Sequence, residues 1–450
     1  MSLGHSQILN VRPEERKLVF SLLAVLAVTT LVLELSDVIA TGGFVSKVGP
    51  NNIVWLWIVD MVISLFTAGM YALAVDRMER LRLVKWLTIG FAILYIVLRF
   101  VFAIGAPDWF SYTLLYILTD QFYAIFPLAF WAMVNDLYNA AEAKRLYPVI
   151  LMGTAIGSIF GNGLAALSGW ILQQSGGDPP SLLPIGAVVL LVGLLILEVA
   201  FAKVTVNARQ SHDKTFDLKQ TISVGADYIK NVPIFSFLAV CMLLTGLAFT
   251  VIEYHFLFSV DQAVSKNPLQ FQTFYGSFKI ILIISTLLVQ AFISNRYLEK
   301  IGLKSSFIIQ PISLALGAGT AIAIPGVYGA AIARYLGRLV QQSWDEPARK
   351  SLQNLVPDER RGRVAVMIDR YFYDISTIVG SLVLGLLLFL STSGFISPDL
   401  QLYVYLGMAI LASLIAVWFA IRLRKNYDQS LLGWRLTRPR RKSALDGIEF

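Results

Sequence analysis

Long apolar runs dominate the chain, and short polar turns separate them. Twelve runs approach the roughly 20 residues that a helix needs to cross a hydrocarbon core. They cover 18–40, 53–75, 86–105, 108–138, 147–172, 182–204, 233–258, 270–294, 305–325, 326–350, 362–393 and 399–422. The only long polar interior stretch is 205–232, "TVNARQSHDKTFDLKQTISVGADYIKNV". The pattern predicts an all-α membrane protein of 12 transmembrane helices in two six-helix bundles. The bundles span 1–204 and 233–425, joined by a cytosolic linker at 205–232 and followed by a basic cytosolic tail at 426–450.

Composition agrees. Of the 450 residues, 56% are hydrophobic and 15% charged, whereas a soluble domain carries about a quarter charged residues. Polar surface on that scale cannot coat a globule. The single Cys241 excludes an internal disulfide and any cysteine-based metal site. His5, His212 and His255 stand far apart. The opening "MSLGHSQILNVRPEERK" is not a cleavable signal with a short apolar core. A phosphate loop of the form GxxxxGK[ST] does not occur, so ATP hydrolysis has no visible machinery. No enzymatic activity, metal or cofactor is expected.

Charge gives an orientation. Lys and Arg cluster in alternate loops: around Arg12, Arg77 to Lys85, Lys144 with Arg145, the linker, Arg296 to Lys304, Arg349 to Arg363, and the tail. The intervening loops carry Lys47 and Lys266. The positive-inside rule then places both termini in the cytosol, in a multi-pass protein of the cell's inner (plasma) membrane. The net charge of +8 is spread over every inner loop, which argues against nucleic acid.

Ionisable residues at membrane depth cost about 2.5–3.5 kcal/mol each on insertion scales and point to function. Helical spacing sorts them into stripes. Thr30, Glu34, Asp37 and Thr41 share a face of the first helix; Tyr116, Asp120 and Tyr123 share one on the fourth. Tyr275 and Lys279 are a turn apart on the eighth, as are Arg370 and Asp374 on the eleventh. Arg334, Arg338, Gln341 and Asp345 line the tenth, and Glu253 lies in the seventh. Arg99 suits an outer interface, and Asp60 a structural partner for a base on helix eleven. Gly153, Gly157 and Gly161 recur every fourth residue on the fifth helix, a close-packing seam.

The halves repeat a design. "VDRMERLRLVK" (75–85) after the second helix is matched by "SNRYLEKIGLK" (294–304) after the eighth, and "AEAKR" after the fourth by "PDERRGR" (357–363) after the tenth. "DRMER" resembles the cytoplasmic loop motif of the major facilitator superfamily, with Ala72 at its Gly position. The resemblance implies a two-bundle fold and gating roles for Asp76, Arg77 and Arg80.

A sharper likeness lies in "FWAMVNDLYNAAEAKRLYP" (130–148), which resembles the non-mitochondrial ATP/ADP translocase family. The matching positions are Phe130, Trp131, Asn135, Glu142, Ala143, Lys144, Arg145, Tyr147 and Pro148. "LAFTVIEYHF" (247–256) resembles that family's seventh helix, with Glu253, and "SWDEPARKSLQNLVPDERRGRVAVMIDRYF" (343–372) its tenth-to-eleventh segment. The likeness departs at "ELSDV", where Ser36 replaces the Lys that precedes Asp37 in exchanging members.

The leading expectation is a secondary transporter of an anionic nucleotide or phosphorylated metabolite, working by alternating access. Lys279, Arg334, Arg338 and Arg370 are the candidate anion ligands, with Glu253, Asp37, Glu34 and Asp120 in the same site. Three cations at 279, 334 and 338 without a matching acid at each turn imply an external anion. Two loops, 139–147 and 357–363, are expected as gates through Asn135, Glu142, Lys144, Arg145, Asp358, Glu359, Arg361 and Arg363. One alternative is proton-coupled transport of a neutral or cationic solute, carried by Glu34, Asp37 or Glu253. Another is a non-transporting membrane sensor or anchor. Its tail "RLTRPRRKSALDGIEF" would touch anionic lipid, a cytosolic partner or a further domain beyond the C-terminus.

Overall fold

The computed structural model describes residues 11–75, 78–202, 226–294, 302–353, 356 and 364–437. The described residues are almost wholly helical. The helices are α1 (Arg16–Lys47), α2 (Ile53–Val75), α3 (Arg80–Ala103), α4 (Asp108–Leu137), α5 (Ala140–Ser175) and α6 (Leu183–Phe201). They continue as α7 (Pro233–Ala263), α8 (Pro268–Val289), α9 (Ile309–Ala323), α10 (Val327–Val340), α11 (Glu346–Gln353), α12 (Phe372–Thr392) and α13 (Pro398–Thr437). Most of the interior linker and the last thirteen residues lie outside the described residues.

Eleven helices among the described residues are long and apolar enough to cross a membrane. The expected twelve are therefore not all met. The exception is the segment 326–350, where α10 runs 14 residues before a π-helical turn at Gln341–Asp345. Arg334, Arg338, Asp345 and Glu346 also keep that stretch polar. The last helix, α13, continues through residue 426 to Thr437.

The helices group into two compact units. One holds α1–α6 with Tyr254–Leu287; the other holds α7 up to Glu253 and the helices from Leu288 onward.

In the first unit, α1 packs on α4, α5 and α6. Its seam with α5 follows from three glycines. A Cβ at Gly153, Gly157 or Gly161 would collide with the backbone carbonyl of Leu23, Ala27 or Leu31 in turn. Hydrogen at those positions lets the two backbones touch, as the four-residue spacing implied. On the neighbouring side Phe91 of α3 stacks on Phe122 of α4, centroids 4.0 Å apart. Pro127 and Pro148 both lie inside helices.

The second unit packs α10 and α13 against α9, with Gly317 of α9 tight against Ala333 of α10. Among its described residues are three π-helical turns, at Gln290–Ser294, Gln341–Asp345 and Met367–Tyr371. A π turn frees backbone carbonyls from the regular ladder. One of them, at Gln342, accepts a hydrogen bond from Gln290 Nε2 at 3.0 Å.

Candidate functional site

The stripe on α1 meets a cation from α8. Lys279 Nζ stands 2.5 Å from Glu34 Oε2 and 2.7 Å from Asp37 Oδ2. Glu34 is further held by α5, whose Ser158 hydroxyl and Asn162 amide donate at 3.0 and 2.9 Å. Thr41 donates to Asp37 at 3.3 Å, and the Tyr275 ring lies 5.5 Å from the ammonium. The glycine seam makes this possible, because Gly161 brings α5 directly onto the turn that carries Glu34. Ser36 is buried in α1 and Asp37 faces the ammonium of Lys279.

A second acid layer sits in the same unit. Asp60 of α2 is fully buried and accepts from Gln121 of α4 at 3.0 Å. Tyr116 accepts from Trp57 Nε1 at 2.8 Å, with Asp60, Asp120 and Asp37 all in its electrostatic reach. Counting Glu34, Asp37, Asp60 and Asp120 against Lys279, the interior of the unit is acidic.

In the second unit, cations and acids are matched more evenly. Arg334 is buried and grips Glu253 through two nitrogens, Nη2 to Oε1 at 2.5 Å and Nε to Oε2 at 2.8 Å. Arg338, one turn on, reaches Glu253 only at 3.8 Å. Its guanidinium lies 4.2 Å from the centre of the Phe249 ring and donates to Gln341 at 3.3 Å. Asp345 leaves the Arg334–Arg338 stripe, because the π turn redirects it to Arg349 at 2.8 Å. Arg370 pairs with the fully buried Asp374 on its own helix at 3.2 Å. Asp369 takes Lys350 at 2.6 Å and Gln353 at 2.8 Å.

These pairs correct the charge argument made from spacing. Lys279, Arg334, Arg338 and Arg370 each face a carboxylate. Acids remote in sequence supply the balance that a single helix cannot show.

The expected loop at 139–147 is also different. Helix α5 starts at Ala140, and Asn139 with Glu142 forms its reciprocal cap. The Glu142 N–H donates to Asn139 Oδ1, and the Asn139 N–H to Glu142 Oε2, both at 3.0 Å. Arg145 bonds Glu15, before α1, through both terminal nitrogens at 2.7 and 2.6 Å. That contact pulls the Glu15 carboxyl down from 4.5 to about 2. Tyr147 donates to Asn135 at 2.5 Å. Arg80 donates to the Asp136 carboxylate at 2.7 Å and the Ala132 carbonyl at 3.1 Å, tying α3 to the end of α4. Asp76, Arg77, Asp358, Glu359, Arg361 and Arg363, with the side chain of Lys144, lie outside the described residues.

Spacing alone missed Ser158, Asn162 and Glu15, because small polar residues and a pre-helical acid carry no membrane-depth charge signal. It also missed Asp261, fully buried near the end of α7. Its position beside polar Gln262 made it look like a loop residue.

Residues 20–329 match the family model described as TLC ATP/ADP transporter. Two relatives are ADP,ATP carrier protein 3 of Rickettsia felis, 25% identical, and ADP,ATP carrier protein 3 of Rickettsia conorii, 24% identical. Each match runs over 227 residues, 46% of this chain and 45% of the relative, so it spans under half the length of these proteins. Among solved structures, the nucleoside transporter NupG superposes with a TM-score of 0.62 at 16% identity, covering 92% of this chain and 99% of that one. A peptide transporter, POT, gives 0.62 at 14%, covering 90% and 95%. At such identities the two structures establish the fold alone, an all-α membrane fold of the major facilitator type. The family match covers well over half of the sequence: the chain belongs to the TLC ATP/ADP transporter family.

Proposed function

We propose that this membrane transporter carries a nucleotide-type anion such as ATP or ADP by alternating access, and that Arg338 with Arg334 takes up its phosphate groups. The observation that carries the reading is that two guanidiniums share one carboxylate, Glu253. Arg334 uses that carboxylate fully, and Arg338 barely reaches it. Arg338 therefore keeps donors in a fork that suits phosphate oxygens. The printed names of the Rickettsia relatives, ADP,ATP carriers, support the same substrate class. Lys279 serves differently in this reading. Held between Glu34 and Asp37, it neutralises α1 at the place where Ser36 brings no cation.

The charge asymmetry of the loops supports placing both termini on the cytosolic side of the cell's inner membrane. The Arg80–Asp136 contact supports a clamp between helix ends at that side.

The test is titration of the purified protein, and of Arg338→Gln, Arg334→Gln and Lys279→Gln, with ATP, ADP and a neutral sugar. Arg338→Gln should weaken nucleotide binding by about 1.5–3 kcal/mol, the worth of a charged hydrogen bond. Added salt should weaken wild-type binding as well. Nucleotide affinity unchanged in both arginine variants would sink the reading. Preference for the neutral sugar would favour proton-coupled transport of a neutral or cationic solute, which the acidic interior of the first unit suits.

A further inference from the structure

Most of the buried acids described above have a visible partner; Asp261 is the exception. It is 0% exposed, yet neither carboxylate oxygen meets a hydrogen-bond donor. No cation forms an ion pair with it among the described residues. The polar group facing it is the Ser46 hydroxyl of α1, near enough to act on the carboxyl but short of good hydrogen-bond geometry. From the turn after α7, Lys266 acts on it only at a distance, through charge. Ionising a carboxylate in such a place costs solvation that no ion pair there repays. A protonated carboxyl avoids that cost, and its O–H can donate to Ser46.

A polar cavity is built by residues next to this pair in the chain. The Lys266 N–H caps the Asp261 carbonyl at 3.0 Å, and Ser265 and Lys266 both adopt left-handed backbone, with φ of 53° and 61°. They are the non-glycine residues with positive φ among the described residues, and such strain gathers where a site must be shaped. Ser265 and Lys266 line a cavity of about 610 Å³, with Lys47, Asp108, Asp178 and Asn267. Lys47 directly follows Ser46 in the chain, and Ser265 and Lys266 follow closely on Asp261, so the cavity wall and the buried carboxyl belong to the same two segments. Asp178 is already neutralised by Arg99 at 2.9 Å, and Asp108 sits in the first turn of α4, where the helix dipole favours an acid.

We propose that Asp261, with Ser46, is a proton-binding site that exchanges with this polar cavity and couples transport to proton movement. The proton leaves Asp261 as the carboxylate forms and passes to water in the cavity; the reverse step reloads it. Glu34, Asp37 and Glu253 differ from it in that each already has a cation partner. The coupling rests on the transporter reading; the protonation state of Asp261 does not.

Infrared difference spectra of the substrate-free protein in lipid bilayers, taken between acid and alkaline pH, test the site directly. The wild type should show a protonated-carboxyl C=O band that Asp261→Asn removes and Ser46→Ala shifts. Asparagine copies the shape of the neutral acid, so Asp261→Asn should melt no lower than the wild type. If it does not fold, the Ser46→Ala shift still decides. An unchanged band in either folded variant overturns the site. In vesicles, an imposed pH gradient should drive ATP accumulation by the wild type, and Asp261→Asn should lose that drive. Drive retained by Asp261→Asn overturns the coupling. A wild type that neither binds nor carries ATP tells against the nucleotide reading alone, because the infrared result needs no substrate.

Discussion

Arg145 holds Glu15 with both terminal guanidinium nitrogens, across 130 residues of sequence. The charge-rich turn after the fourth helix thus fastens the chain just before α1 to the start of α5. The contact lowers the Glu15 carboxyl from 4.5 to about 2. A depressed carboxyl contributes stability above its unfolded value and loses it as pH falls through the folded one. Thermal unfolding of the wild type and Glu15→Gln should therefore differ by a constant amount near neutral pH. The difference should shrink below 4.5 and vanish towards 2. A gap that persists at the acid end would assign the effect to packing.

Lys279 balances the buried Glu34 and the half-buried Asp37. Lys279→Met should destabilise the protein by about 3–5 kcal/mol, the cost of stranding buried charge. Adding Glu34→Gln and Asp37→Asn should restore much of that loss, since the remaining groups are neutral. Denaturation monitored by tryptophan fluorescence in detergent reads both effects. A triple variant no more stable than the single one would mean that the cluster does not act as a unit.

The α1–α5 seam tolerates no side chain. Gly157→Leu should cost about 1–3 kcal/mol or more through overpacking. Gly90, whose Cβ would meet nothing within 4 Å, is the control. Melting temperatures of Gly157→Leu and Gly90→Ala measure the contrast.

Arg80 and Asp136 should act together. In a double-mutant cycle, Arg80→Gln and Asp136→Asn should show an interaction energy of about 0.5–3 kcal/mol, as for residues in one network. Equal, fully additive effects would reduce Arg80 to a topology charge.

Orientation has its own test. Cys241 is buried, so background labelling is low. Cysteines placed at Lys47 and Lys214 should react with an impermeant maleimide from opposite faces of the membrane. Reaction from one face would overturn the cytosolic placement of the termini.

Much of this was legible in the chain. Apolar run length sets the helices, because a membrane admits backbone only with its hydrogen bonds closed within the segment. The Gly153, Gly157 and Gly161 seam was legible for a related reason: a four-residue repeat occupies one face whatever lies opposite it. The stripe of Glu34 and Asp37 and that of Arg334 and Arg338 were likewise visible as periodicity. The sequence could not say which charge answers which. Lys279 lies 242 residues from Asp37, and Arg334 lies 81 from Glu253, so each pairing exists only after helices pack. The π turn at Gln341–Asp345 has no periodic signature, yet it broke the tenth span and sent Asp345 to Arg349. Asp261 shows the same division most sharply. Its identity is local, but its burial and the Ser46 hydroxyl that faces it come from segments far apart in the chain, and only the tertiary structure decides that.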